Sequence, residues 1–166
     1  MKRLLIVLMA ASFLGCSSST DVIENTYSKV IDFWADIVEV ECECYYDEAG
    51  YEDEAACLED NEITSQNRSD FLSCVRDSID EMETSPPDEA VDFYRCITDV
   101  YDDVDDCFDD IDCSEESLDA AEDCLDDLEG EFEDCEELLT DEADDWVDSL
   151  DRKVDENDCF DIIELF

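Results

Sequence analysis

The stretch that decides the fold is residues 90–139, AVDFYRCITDVYDDVDDCFDDIDCSEESLDAAEDCLDDLEGEFEDCEELL. Ala90, Tyr94, Ile97, Tyr101, Val104, Phe108 and Ile111 form one apolar row, and Leu118, Ala121, Leu125, Leu128, Phe132, Cys135 and Leu139 form a second. Both rows step by threes and fours, the repeat of one helix face. Cys96 and Cys107 are eleven residues apart, as are Cys124 and Cys135. That spacing is about three helical turns, so each pair lies along one side of its helix. Ser114 stands between the rows as an N-cap, and Gly130 lies inside the second row as a point of bending or early ending, at about 1 kcal/mol relative to alanine.

Working outward toward the N-terminus, Ser85, Pro86 and Pro87 mark a helix restart, because proline fits the first helical turn and Asp88 and Glu89 favour its positive end. Upstream, Leu72, Val75, Ile79 and Met82, flanked by Phe71, form the inner face of another helix. These two helices are expected as an antiparallel hairpin centred near residue 85. Earlier still, Asp21 caps a first helix whose inner face is Ile23, Tyr27, Val30, Trp34 and Ile37, widened by Ile31 and Val38. Between the two lie an irregular stretch containing Tyr45, Tyr46, Gly50 and Tyr51 and a short helical piece near Ala55–Leu58. The tyrosines read more readily as a cluster pinned by cysteines than as a ligand platform. Toward the C-terminus, Thr140 or Asp141 caps a last helix with Ala143, Val147 and Leu150 inward and Trp146 beside them. The apolar segment from Cys159 should pack back on the bundle. No stretch alternates as a strand does, so the expected fold is all-α, a disulfide-cross-linked bundle of four to six helices.

The chain has eleven cysteines, a usage that points to an oxidising compartment. Disulfide candidates are Cys42, Cys44, Cys57, Cys74, Cys96, Cys107, Cys113, Cys124, Cys135 and Cys159. Two schemes compete for Cys96. The hairpin about residue 85 favours Cys74 with Cys96, alongside Cys107 with Cys124. The hairpin about residues 115 and 116 makes Cys96 with Cys135 and Cys107 with Cys124 a symmetric pair of rungs. The latter resembles the coiled-coil-helix-coiled-coil-helix hairpins in architecture, with ten intervening residues here where those have nine. Zinc thiolates are disfavoured, since Cys42 and Cys44 lack the two-residue separation of zinc knuckles.

Charge narrows the partners. Fifty-five acidic and eight basic side chains give a formal charge of −47, which argues against nucleic acid and anionic membrane surfaces as direct partners and leaves cationic partners or a plainly solvated acidic face. Histidine is absent, removing the commonest general base. No glycine-rich phosphate loop or serine elbow occurs, so the reading is not an enzyme, with a carboxylate hydrolase as the distant alternative. The cation set singled out is Asp109, Asp110, Asp112, Glu115 and Glu116, a run where two helix ends meet and where calcium would bind weakly if at all; no other cofactor is expected. EF-hand loops fail: from Asp110 the glycine position holds Glu115 and the twelfth Ala121, and from Asp155 these are Phe160 and Phe166.

The first residues say where the chain goes. Lys2 and Arg3 precede an apolar run, Leu4 to Leu14, too short to span a bilayer and built like an export signal. It ends in Phe13, Leu14, Gly15, Cys16, which resembles the lipobox of bacterial lipoprotein precursors, although Phe13 and Leu14 replace the usual leucine and small residue. The resemblance covers residues 1–20 and implies a signal peptide at 1–15, a lipid on Cys16, a tether over 16–20 and an acidic helical domain over 21–166. It also implies anchoring in the cell envelope, at the outer membrane, facing periplasm or exterior. The function expected is structural or macromolecule-binding, with a low-affinity, high-capacity cation binder as the alternative.

Overall fold

The computed structural model describes residues 18–108, 111 and 113–163, without the side chains of Asp105, Asp106, Glu115 and Asp127. Among these the chain forms six α-helices and no strand: α1 (Ser19–Tyr45), α2 (Glu54–Asn61), α3 (Ser65–Asp80), α4 (Asp88–Phe108), α5 (Glu115–Glu136) and α6 (Asp141–Glu156), followed by a 3-10 turn at Phe160–Ile163. Five disulfides join them: Cys42–Cys57, Cys44–Cys113, Cys74–Cys159, Cys96–Cys135 and Cys107–Cys124. The cross-linked all-α bundle is therefore the observed fold. No described helix is long and apolar enough to cross a membrane.

Side-chain caps set the helix starts. Ser18, Asp53, Thr64, Ser114 and Thr140 each accept a hydrogen bond from the backbone N–H three residues on, an arrangement worth about 1 kcal/mol per helix. At α1 the cap is Ser18, not Asp21. Asp21 instead sits at the third helical position and its carboxylate accepts from the Ser18 N–H at 2.8 Å, closing a capping box. Ser19 and Thr20, expected in the tether, are thereby the first turn of α1. Gly130 does not end α5, which runs on to Glu136.

The long helix α1 is the axis. α3 runs antiparallel to it, with Arg76 paired to Glu24 and Arg68 to Asp32. α4 runs parallel on another side: the Thr26 hydroxyl meets that of Thr98 at 2.8 Å, and the Phe33 ring lies 5.6 Å from Tyr101 and 6.0 Å from Phe108. Tyr27 stands between the two, 6.2 Å from the Phe71 ring of α3 and 6.3 Å from the Tyr94 ring of α4. The expected α3–α4 hairpin does not form, because α1 occupies the space between its arms. The connection 81–87 is long enough to pass across the end of α1; seven extended residues reach about 23 Å, twice a helix diameter.

This corrects the favoured pairing of Cys74 with Cys96. Cys74 faces the C-terminal turn and bonds Cys159, while Cys96 bonds Cys135 as one rung of the α4–α5 hairpin. The other rung, Cys107–Cys124, is as expected. Cys42 and Cys44 point to opposite sides of α1, since two residues rotate a helix by about 200°; one reaches α2 and the other the α4–α5 turn.

The core has two parts. One gathers Ile23, Tyr27 and Ile31 of α1, Phe71, Val75 and Ile79 of α3, Tyr94 of α4, and Ala143, Trp146, Val147, Leu150 and Val154 of α6, closed by Cys159 and Ile163. Phe71, fully buried, takes the central place that the residue pattern assigned to Leu72, which is only half-buried. The second part, between α4 and α5, holds Val100, Val104, Leu128 and Cys135, with Phe33 and Phe132 packed on it. Phe93 touches both. Val30, Trp34 and Ile37 are half-buried.

Candidate functional site

Of the residues singled out from the sequence, the ten cysteines at 42, 44, 57, 74, 96, 107, 113, 124, 135 and 159 all lie in disulfides. Cys16 lies outside the described residues. So do Asp109, Asp110 and Asp112 of the expected cation set, and the Glu115 side chain; Glu116 is exposed on the first turn of α5. Among the described residues no group of three or more cysteine, aspartate or glutamate side chains is arranged to hold a metal ion.

The acidic feature that the structure does bring together is on α1. Asp32, Asp36, Glu39 and Glu43 repeat at steps of four, three and four, one helix face. With Val40 they line a groove of about 550 Å³ whose other wall is Phe108 and Ile111. Arg68 reaches over from α3 to pair with Asp32 at one end. The groove combines a negative rim with an apolar floor, so the chemistry that suits it is cationic and partly apolar. The helical spacing was visible in the sequence, but nothing there said that the α4–α5 turn would close the other side.

A second cleft, of about 440 Å³, lies between the 81–87 connection and α6. Met82, Pro87 and Trp146 supply its apolar wall, and the Trp146 Nε1–H donates to the Thr84 carbonyl at 3.0 Å. Arg152 and Lys153 are on its rim, Lys153 with Glu81 at 3.3 Å, but Glu83, Glu142, Asp145 and Glu156 outnumber them. An anion would meet a net negative wall, so this is no anion site.

The chemically least ordinary cluster is closed. Tyr27 donates its hydroxyl to Asp151 Oδ1 at 2.8 Å, linking α1 to α6. Burial, with Tyr94 and Asp151 nearby, holds the Tyr27 phenol well above its usual pKa. Burial likewise raises Tyr94, helped by the nearby Asp151 carboxylate, with the neighbouring Tyr27 hydroxyl pulling the other way. Asp151 is itself raised, chiefly because its carboxyl is partly withdrawn from water, with the Tyr27 hydrogen bond pulling the other way. A raised carboxyl beside phenols could transfer protons, but Tyr27 and Tyr94 are both buried in the main core. The cluster fastens helices. Sequence periodicity placed Tyr27 inward but could not pair it with an acid from a helix more than a hundred residues away.

The tyrosine loop is tied down locally. Tyr51 N–H donates to the Tyr46 carbonyl at 2.8 Å, Asn61 Nδ2 donates to the Tyr51 hydroxyl at 3.1 Å and to the Cys57 carbonyl at 2.9 Å, and Gly50 takes φ +92°, a conformation that favours glycine. Tyr45 remains exposed.

No protein-family model, curated protein or solved structure matches the chain.

Proposed function

We propose that this chain is exported as a precursor, lipidated on Cys16, and works as a membrane-anchored envelope protein with a structural or macromolecule-binding role. The observation that carries the reading is cysteine arithmetic. Ten of the eleven cysteines are joined in five disulfides, and the eleventh is the one in the lipobox-like junction. Disulfides in such number belong to oxidising compartments, and the acidic skin suits a cationic protein or surface partner. Mass spectrometry of membrane-extracted protein tests it: the expected result is a mature N-terminus at Cys16 carrying lipid, with Cys16→Ser releasing the domain to the soluble fraction. An unmodified Cys16 refutes it.

The α1 groove supports a second reading, a low-affinity, high-capacity cation binder, because its row of carboxylates, Asp32 already paired with Arg68, concentrates negative charge on one face without forming a built metal site among the described residues. Calcium titration at constant ionic strength should then give several equivalents, reduced by Asp36→Asn with Glu39→Gln.

A further inference from the structure

We propose that the end of the bundle where α1, α4 and α6 begin is the face that rests on the lipid surface. The inference builds on the anchor at Cys16 and adds an orientation. Only Ser17 separates Cys16 from Ser18, the cap of α1, so two chain steps, about 7 Å of backbone, join the anchoring residue to the start of the helix. No tether remains for the domain to swing on. Whatever surrounds Ser18 must stand near the membrane.

That neighbourhood is defined by the packing. α3 is antiparallel to α1, so its C-terminal end and the 81–87 connection lie there; Trp146 of α6 bonds Thr84 of that connection. α4 runs parallel to α1 and starts there, and α5, antiparallel to α4 through Cys96–Cys135, ends there. Val22, Met82 and Leu139, which pack against the main core, lie on these segments. Leu138, in the α5–α6 turn, is 44% exposed, the most exposed large hydrophobic residue among the described residues. Pro86 and Pro87, in the 81–87 connection at this end, are half-buried. The rim is acidic, with Glu83, Glu137 and Glu142 exposed. Carboxylates of this number forbid entry into the hydrocarbon, so the contact is at headgroup level and suits zwitterionic rather than anionic lipid.

The two tryptophans read out the orientation. Trp146 belongs to this end through its bond to Thr84, whereas Trp34 is sixteen residues, about 24 Å, along α1 from Ser18. Full-length mature lipidated protein is placed in phosphatidylcholine vesicles containing lipids with a nitroxide on the headgroup. Trp34→Phe leaves Trp146 as the sole emitter and Trp146→Phe leaves Trp34; should the latter not fold, Trp34 follows from wild type minus Trp34→Phe. Trp146 should be quenched several-fold more strongly than Trp34. Equal quenching, or stronger quenching of Trp34, with lipid verified on Cys16 by mass spectrometry, overturns the orientation and leaves the anchor standing. Absence of lipid on Cys16 overturns the anchor, and the orientation with it.

Discussion

Replacing Cys74 and Cys159 together by alanine should remove more stability than replacing any short-range pair, and the amount follows from connectivity. The two are separated by 85 residues in sequence, but the Cys96–Cys135 bond shortens the path. The smallest ring closed by Cys74–Cys159 runs from 74 to 96, across that bond, and from 135 to 159, about 46 residues. In the chain-entropy model such a ring contributes about 4 kcal/mol at 25 °C, against about 3 kcal/mol for the 15-residue loop of Cys42–Cys57. The long bond also holds the Phe160–Ile163 turn, whose buried Ile163 packs in the main core. A loss near 4 kcal/mol is a large part of the roughly 5–15 kcal/mol of a typical domain. Urea unfolding followed by far-UV circular dichroism, at fixed salt, measures both double variants, and the Cys74/Cys159 variant should also show a larger denaturant slope because its unfolded chain is less compact. A loss below about 1 kcal/mol, or a smaller loss than for Cys42/Cys57, would refute the reasoning that long-range closure holds the C-terminal turn in place.

Three further outcomes are expected. Asp151→Asn should raise stability at neutral pH and match the parent in acid: the folded carboxyl titrates above its unfolded value because of burial, so its contribution is full below the unfolded pKa and is lost as pH rises through the folded one; melting curves across pH decide it, and a gain that persists unchanged in strong acid contradicts it. Tyr27→Phe should cost about 1 kcal/mol by removing the hydroxyl that bonds Asp151 and links α1 to α6, and Tyr94→Phe should cost less, since the burial of its hydroxyl offsets what that hydroxyl gains beside Tyr27; chemical denaturation of the two variants should rank them in that order. Added salt should raise the melting temperature by screening over about 8 Å at physiological strength, and calcium at matched ionic strength should raise it further if cations gather at residues 109–116 or along the α1 groove; identical melting temperatures in all three conditions would show the acidic faces to be relaxed already.

What was legible in the sequence was whatever depended on neighbours along the chain. The two rows in 90–139 became α4 and α5, with Cys107 opposite Cys124, because a helix face is a local repeat and a hairpin about a short turn fixes its own register. Thr140, Trp146 and Leu150 were placed for the same reason. What failed was the partner of α3. A stripe such as Val75–Ile79 says that a helix buries one face, not against what, and the short connection made α4 the obvious choice. α1 took the place, since Tyr27 fits between Phe71 and Tyr94 while the Thr26 hydroxyl donates to the Tyr94 carbonyl at 2.8 Å. The disulfide assignment at Cys74 failed with it. The α1 groove was hidden by lack of contrast: among 55 acidic residues, four more at helical spacing carry no signal until the opposite wall is known.

The acidity and the cross-links answer the same physical problem. Only α6 has a basic residue in its last turn, so the other helices lack the cation that the negative end of a helix favours, and several, such as α5 with Glu133, Asp134 and Glu136, place acids there. Like charges three or four residues apart remove a further 0.2–0.5 kcal/mol or so per pair at low salt. Of the six basic side chains in described helices, five are in ion pairs, mostly exposed ones of small individual weight, so charge pairing cannot restore what repulsion removes. Disulfides can, because a covalent ring acts on the unfolded chain whatever the ionic strength. Their placement fits that role. Both rungs of the α4–α5 hairpin brace α5, the most acidic of the described helices, and Cys44–Cys113 ties the α4–α5 turn to the C-terminal end of α1. A surface this negative stays soluble and resists association with other acidic surfaces, and the cross-links let the chain keep that surface without depending on salt or cations to stay folded.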